Sequence, residues 1–221
     1  MGAGNKNRYW SIMELVLVLL VAAGHMSLEL MAARGRFQPD RPQMLFNSVA
    51  VLMWVGYVGF RACTVRGILR DWGLHLDHFP QALGRGLLFA LPVAVALVVF
   101  GVWRGHWPLA PGFWLLLLLY PAWGLAQQFV LQALLMRNLE PWLPHLPARV
   151  VAAAGLFSAV HLPNVLLAVL AFPVGIAFSW VYAQRPNLWA LGILHGCLGA
   201  LFYYLVLGQD PGAIVLAMFH H

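Results

Sequence analysis

The sequence predicts an all-α fold, a polytopic transmembrane helix bundle of about seven to eight membrane helices. Three observations predict it. First, 62% of the residues are hydrophobic and 9% are charged, with a mean hydropathy of +0.78. A soluble domain carries roughly a quarter charged residues, so lipid must cover much of this surface instead. Second, the apolar residues gather in runs near the ~20 that a spanning helix needs. Third, the alternating short segments of a membrane barrel are absent. Backbone facing hydrocarbon must pair internally, so such runs are helices. At 221 residues the chain fits a single integral membrane domain, residues 1–221, with no room for a second sizeable soluble unit.

The elements follow in order. Trp10–Met31 is the first apolar run. It is long, it contains Glu14, and no tidy small-residue cleavage site follows, so it reads as a retained span and not a cleaved signal peptide. Glu14, His25 and Glu29 lie towards its ends and read as interfacial residues. Met44–Phe60 is the second run. The stretch from Arg61 to Arg85 mixes charged residues with Ile68, Leu69, Trp72, Leu74 and Phe79. It reads as an amphipathic segment on the inner surface with Trp72 at headgroup depth, or as a connecting loop with some helix.

Gly86–Trp103 and Phe113–Met136 are the third and fourth runs. Val150–His161 is too short to span alone, and Leu162-Pro163-Asn164 interrupts it. Proline disfavours helical geometry at the preceding residue, so the helix is expected to bend or stop just after His161. Val165–Ala183 resumes the pattern, Leu188–Leu207 is a further full span, and Ile214–Phe219 is a short apolar tail that could cap the bundle.

Basic residues orient the chain. With the N-terminus inside, the inner segments hold Lys6, Arg8, Arg61, Arg66, Arg70, Arg85, Arg137, Arg149 and Arg185. The outer segments hold only Arg34, Arg36, Arg41 and Arg104. This bias predicts a cytoplasmic N-terminus, and the Lys-poor, Arg- and Trp-rich style fits a bacterial inner membrane. Lipid headgroups account for the net charge of +6, with no call for nucleic acid. Cys63 is placed at the inner end of a span and Cys197 within one, so no disulfide is expected between them.

Polar residues inside the spans are the informative ones, because each needs a partner in hydrocarbon. Three places stand out. Gln127, Gln128 and Gln132 lie in the fourth run, and Gln128 and Gln132, four apart, share a helix face. Phe157 and His161 share a face at the end of the short run. His195 lies in the last span beside Gly192, Gly196 and Gly199, which would let helices approach closely. Such glutamines and histidines can act simply as hydrogen-bond glue between helices, yet three amides in six residues beside two imidazoles are dense for that. Two histidines leave a tetrahedral zinc site half filled, and glutamines are poor metal ligands, so neither metal nor other cofactor is expected. The terminal His220-His221 pair could hold metal adventitiously. No paired-histidine haem site, Ser-His-Asp set or nucleotide glycine loop is visible.

The order and spacing of these residues resemble the CAAX-protease and bacteriocin-processing (CPBP) intramembrane endopeptidases. That family carries Glu-Glu-x-x-x-Arg in one span, Phe-x-x-x-His in the next and His-x-x-x-Asn or Asp in a later one. Here the corresponding sets are Gln127-Gln128-x-x-x-Gln132, Phe157-x-x-x-His161 and His195-x-x-x-Gly199. The run Phe172–Tyr182 followed by Arg185–His195 is also similar to the family's approach to its last histidine. The resemblance covers residues 113–207 as a catalytic-core region. It implies an activated water attacking a peptide carbonyl, with a hydrophobic or membrane-anchored peptide as substrate and membrane lipid as surroundings.

The departures define two readings. An amide at Gln127 cannot serve as a base near neutral pH, and Gly199 removes one oxyanion donor. Carboxylates and guanidinium are absent together, so no charge is stranded. One reading is a variant peptidase in which His161 is the base and His195, Gln127 and Gln128 orient water and oxyanion. Asn164 would then stand in for the donor missing at Gly199, if the helix break turns it inward. The other is a non-catalytic relative that binds a hydrophobic peptide, transmembrane segment or lipid. A small transporter or lipid-handling protein is a weaker third reading, since it would need a continuous polar path along several helices and the sequence has one cluster.

Overall fold

The computed structural model describes residues 3–35, 40–106 and 111–210. The tail Ile214–Phe219, the His220-His221 pair and Arg36 lie outside them. Every regular element among the described residues is helical. They are α1 (Ala3–Ala33), α2 (Asp40–Thr64), the single turn α3 (Ile68–Asp71), α4 (Phe79–Trp103), α5 (Pro111–Gln128), α6 (Leu146–Ala159), α7 (Val165–Gln184) and α8 (Leu188–Leu201). Two helices change pitch without breaking: α5 runs into a π-helical segment, Phe129–Met136, and α8 into another, Phe202–Val206. Six helices are long and apolar enough to cross a membrane: Tyr9–Ala33, Pro42–Thr64, Phe79–Trp103, Gly112–Met136, Val165–Gln184 and Leu188–Val206. Leu146–Ala159 is a seventh, shorter apolar helix. The polytopic helical bundle is therefore as expected.

The later helices make the core. α5 and α8 are the most closely packed pair, followed by α6 with α7 and α4 with α8. Glycine is the reason the first pair can close. A Cβ on Gly196 would stand 2.5 Å from Pro121 Cα, one on Gly192 would stand 2.7 Å from Leu125 Cα, and one on Gly124 would stand 2.7 Å from the Gly196 nitrogen. Backbone thus meets backbone where any side chain would hold the helices apart. By contrast α1 and α2 are wrapped outside, with Leu20, Leu45, Leu52 and Val55 exposed for lipid to cover.

Glu14 is not simply an interfacial residue. It is 4% exposed, and all its partners come from other helices. Tyr57 donates a hydrogen bond to Oε1, Asn138 donates to Oε2 at 2.5 Å, and Arg61 lies 4.0 Å away. The Arg61 guanidinium also sits 4.5 Å over the Trp10 ring. A carboxylate in an apolar bundle needs such a shell, and here the shell ties α1 and α2 to the end of the α5 extension.

The connection from Arg61 to Arg85 also differs from an amphipathic surface helix. Between the end of α2 at Thr64 and the start of α4 only the turn Ile68–Asp71 is helical, and Trp72 is a core residue at 1% exposure. Its ring meets Tyr57 at 6.2 Å and Phe129 at 5.1 Å, and its carbonyl accepts from the Tyr182 hydroxyl at 3.0 Å. The polar backbone of this stretch is satisfied by the start of α8. The Leu188 N–H donates to Gly73, and the Asn187 amide donates to the carbonyls of His75 and Asp77 at 2.8 and 3.1 Å. With so many internal partners the segment folds inward, and Trp72 packs into the core and does not lie on the surface. Cys63 and Cys197 are free.

Candidate active site

The tight α5–α8 crossing sets the site. It brings Gln128, the last α-helical residue of α5, against His195 in α8. The Gln128 amide nitrogen donates to His195 Nδ1 at 2.8 Å. Gln132, one turn on in the π segment, donates its amide N–H to Gln128 Oε1 at 3.1 Å. Both glutamines are fully buried. The bond between them agrees with the shared face read from their spacing, although the segment after Gln128 has π-helical pitch. Wider π turns commonly mark functional stretches of helices. Gln132 Oε1 is buried and has no hydrogen-bond partner among the described residues.

α6 brings the other imidazole. The helix ends at Ala159, and His161 stands in the turn before α7, as the Leu162-Pro163 break implies. Its Nδ1–H donates to the Phe157 carbonyl at 2.6 Å. The Phe157 ring then lies edge-on between the two histidines, 4.8 Å from the His161 ring and 5.5 Å from the His195 ring. The imidazole centroids can be no further apart than those two distances together, about 10 Å. Phe178 closes on the His195 ring from α7 at 6.5 Å.

These bonds give the two imidazoles opposite tautomers. A carbonyl can only accept, so His161 carries its proton on Nδ1 and leaves the Nε2 lone pair bare. An amide N–H can only donate, so His195 accepts at Nδ1 and carries its proton on Nε2. One ring therefore offers a base and the other a donor.

The remaining residues fall differently. Gln127, at the first motif position, is half-buried and is not the residue bonded to His195. Asn164 caps α7, its side-chain oxygen accepting from the Leu167 N–H at 3.0 Å. Gly199 faces the Tyr120 ring, where a Cβ would stand 2.6 Å from Cε1. The space beside Gly199 is thus already filled. Gln43 and His25, bonded at 2.8 Å, are a polar pair outside the motif set, and His25 is an electrostatic neighbour of His161. Gln43 carries no motif, so nothing in the linear pattern marks it, whereas Phe178 lies in the run Phe172–Tyr182 without being singled out there. Among the described residues no three His, Cys, Asp or Glu side chains converge as a metal-holding group.

Fold and centre together define a polytopic helical membrane protein with a buried amide–imidazole cluster. Residues 107–201 match a family model described as type II CAAX prenyl endopeptidase Rce1-like. The match spans α5, α6, α7 and α8, the four helices that build the cluster. No curated protein and no solved structure matches the chain.

Proposed function

We propose that the chain is an intramembrane endopeptidase of the CAAX-protease type in which a histidine does the work of the family's glutamate. The observation that carries this reading is the opposite tautomers of the two imidazoles that flank Phe157. His161 Nε2 takes a proton from water as the water oxygen attacks the scissile carbonyl. The carbonyl oxygen becomes an oxyanion and accepts a hydrogen bond from His195 Nε2–H. Collapse of the tetrahedral intermediate breaks the C–N bond, and His161 returns its proton to the leaving nitrogen. Gln128 and Gln132 are positioning residues that hold His195 with its donor outward. Gln127 orients water or peptide. The substrate is a hydrophobic or membrane-anchored peptide, and the setting is a bacterial inner membrane with the N-terminus cytoplasmic.

The test is cleavage of a membrane-anchored reporter peptide by the reconstituted full chain. His161→Ala is expected to lower turnover by roughly a hundred- to ten-thousand-fold, the range of general-base catalysis. Gln127→Ala is expected only to weaken it, since an amide moves no proton. Equal losses in the two variants would contradict the assignment of His161 as base.

A second reading, a non-catalytic relative that binds a hydrophobic peptide or transmembrane segment, is favoured by the occupied space at Gly199. Restoring the family's residues with Gln127→Glu, Gln132→Arg and Gly199→Asn would drive the new Asn into Tyr120. Activity that appears only when Tyr120→Ala joins those three changes would support this second reading.

A further inference from the structure

A cavity of about 360 Å³ lies away from the amide–imidazole cluster, lined by Asp71, Arg137, Glu140, Arg149 and Tyr182 with Met136, Leu146, Ala183 and Pro186. That volume is in the range of small-molecule sites. α6 is 14 residues long, about 20 Å. Arg149 stands near its start and His161 just past its end, so the two places are almost a helix length apart. The cavity sits where two spans finish: Gly112–Met136 ends beside Arg137, and Val165–Gln184 ends just past Tyr182 and Ala183. Hydrocarbon gives way to headgroups at that level.

The charges around it are arranged unevenly. The Arg149 side chain is 11% exposed, held in the first turn of α6, whereas its partner Glu140 is 65% exposed. Arg149 Nη1 lies 3.1 Å from Glu140 Oε1 without hydrogen-bond geometry, and Nε makes no hydrogen bond. A buried guanidinium with Nε unpartnered and Nη1 held only by a poorly aligned ion pair calls for an acceptor with several oxygens. Arg137, 3.7 Å from Asp71, is the second cation on the wall. The Tyr182 hydroxyl is already engaged by the Trp72 carbonyl. Two cations and two carboxylates leave no net charge for a plain anion, but they match a ligand carrying both signs.

We propose that this cavity binds a zwitterionic phosphate headgroup, a phosphodiester bearing a primary ammonium, with the phosphate on Arg149 and Arg137 and the ammonium between Glu140 and Asp71. Glu140, loosely held at the surface, swings from Arg149 to the ammonium as the phosphate enters. The apolar wall of Met136, Leu146, Ala183 and Pro186 takes the glycerol and the first acyl carbons. Basic pockets between membrane helices at headgroup depth are a recurrent way of holding lipid. The site is independent of any peptidase chemistry.

The test exchanges the detergent-extracted full chain into equal mixtures of phosphatidylethanolamine, phosphatidylcholine and phosphatidylglycerol and counts retained lipid by native mass spectrometry. One phosphatidylethanolamine is expected to be retained in preference to both others. Phosphatidylcholine has the phosphate but no ammonium N–H, and phosphatidylglycerol has no cation. Arg149→Gln is expected to lower retention about tenfold, the loss of one charge-assisted hydrogen bond. Glu140→Gln, a change at an exposed residue, is expected to move the preference towards phosphatidylglycerol, a shift that a merely structural role would not produce. Soluble glycerophosphoethanolamine in excess separates the sources. Full displacement supports a headgroup site open to free phosphate esters, and resistance supports a site for the lipid itself. Equal retention of the three lipids, or unchanged retention in Arg149→Gln, would overturn the proposal.

Discussion

Gln128 and Gln127 differ by about 100° around a helix, and that difference decides what each can do. Gln128 faces α8, where its amide fixes the ring of His195. The motif pattern alone pointed to Gln127 for the first position, because spacing along one chain does not say which face meets a neighbour. Replacing Gln128 by Leu removes the N–H that His195 accepts, so the ring loses its reason to present Nε2–H. Nitrogen-15 NMR of histidine-labelled protein should find His161 protonated at Nδ1 and His195 protonated at Nε2. In Gln128→Leu the His195 signals should shift to a tautomer mixture while those of His161 stay in place. Reporter turnover should fall about ten- to a hundredfold, as for the loss of one or two oriented hydrogen bonds at about 1.4 kcal/mol per tenfold.

Helices close up here only where glycine allows it. At the α5–α8 crossing Gly196 lies against Pro121, and Gly192 lies against Leu125. Gly196→Val is expected to force the helices apart and destabilise the protein by about 1–3 kcal/mol, as overpacking does. It should also lengthen the Gln128–His195 bond, so thermal unfolding in detergent and turnover should both fall. Gly155→Ala is the control: a Cβ there meets nothing within 4 Å. Unchanged thermal stability in Gly196→Val would contradict this account of the crossing. The existence and order of the spans were legible because hydropathy is a local property of the chain. The helix stop near His161 was legible from Pro163 for the same reason. Two things were not. The pitch change at Phe129–Met136 depends on how α5 is held by its neighbours, and no residue in that segment announces it. The inward fold of Trp72 depends on Tyr182 and Asn187, more than a hundred residues away, which satisfy its surroundings.

On the scale of the whole molecule, two buried polar centres hold the bundle together. One is the amide–imidazole cluster of α5, α6 and α8. The other is Glu14 with Tyr57, Arg61 and Asn138, which fastens the outer helices α1 and α2 to that core. Glu14→Leu strands the Arg61 guanidinium, and breaking a buried pair in this way is expected to cost about 3–5 kcal/mol. Glu14→Leu with Arg61→Leu should be milder than Glu14→Leu alone, because no charge is then left unpaired; denaturation of the single and double variants measures the difference. A double variant as unstable as the single one would show that the charges themselves do not matter. The peptidase reading concerns the inner cluster, and its most direct test is wild-type turnover with the product identified. The reconstituted full chain, incubated with a membrane-anchored reporter peptide, is predicted to release a fragment whose mass marks one hydrolysed peptide bond. Saturable binding of the same peptide with no hydrolysed product, unaltered by His161→Ala, would contradict it.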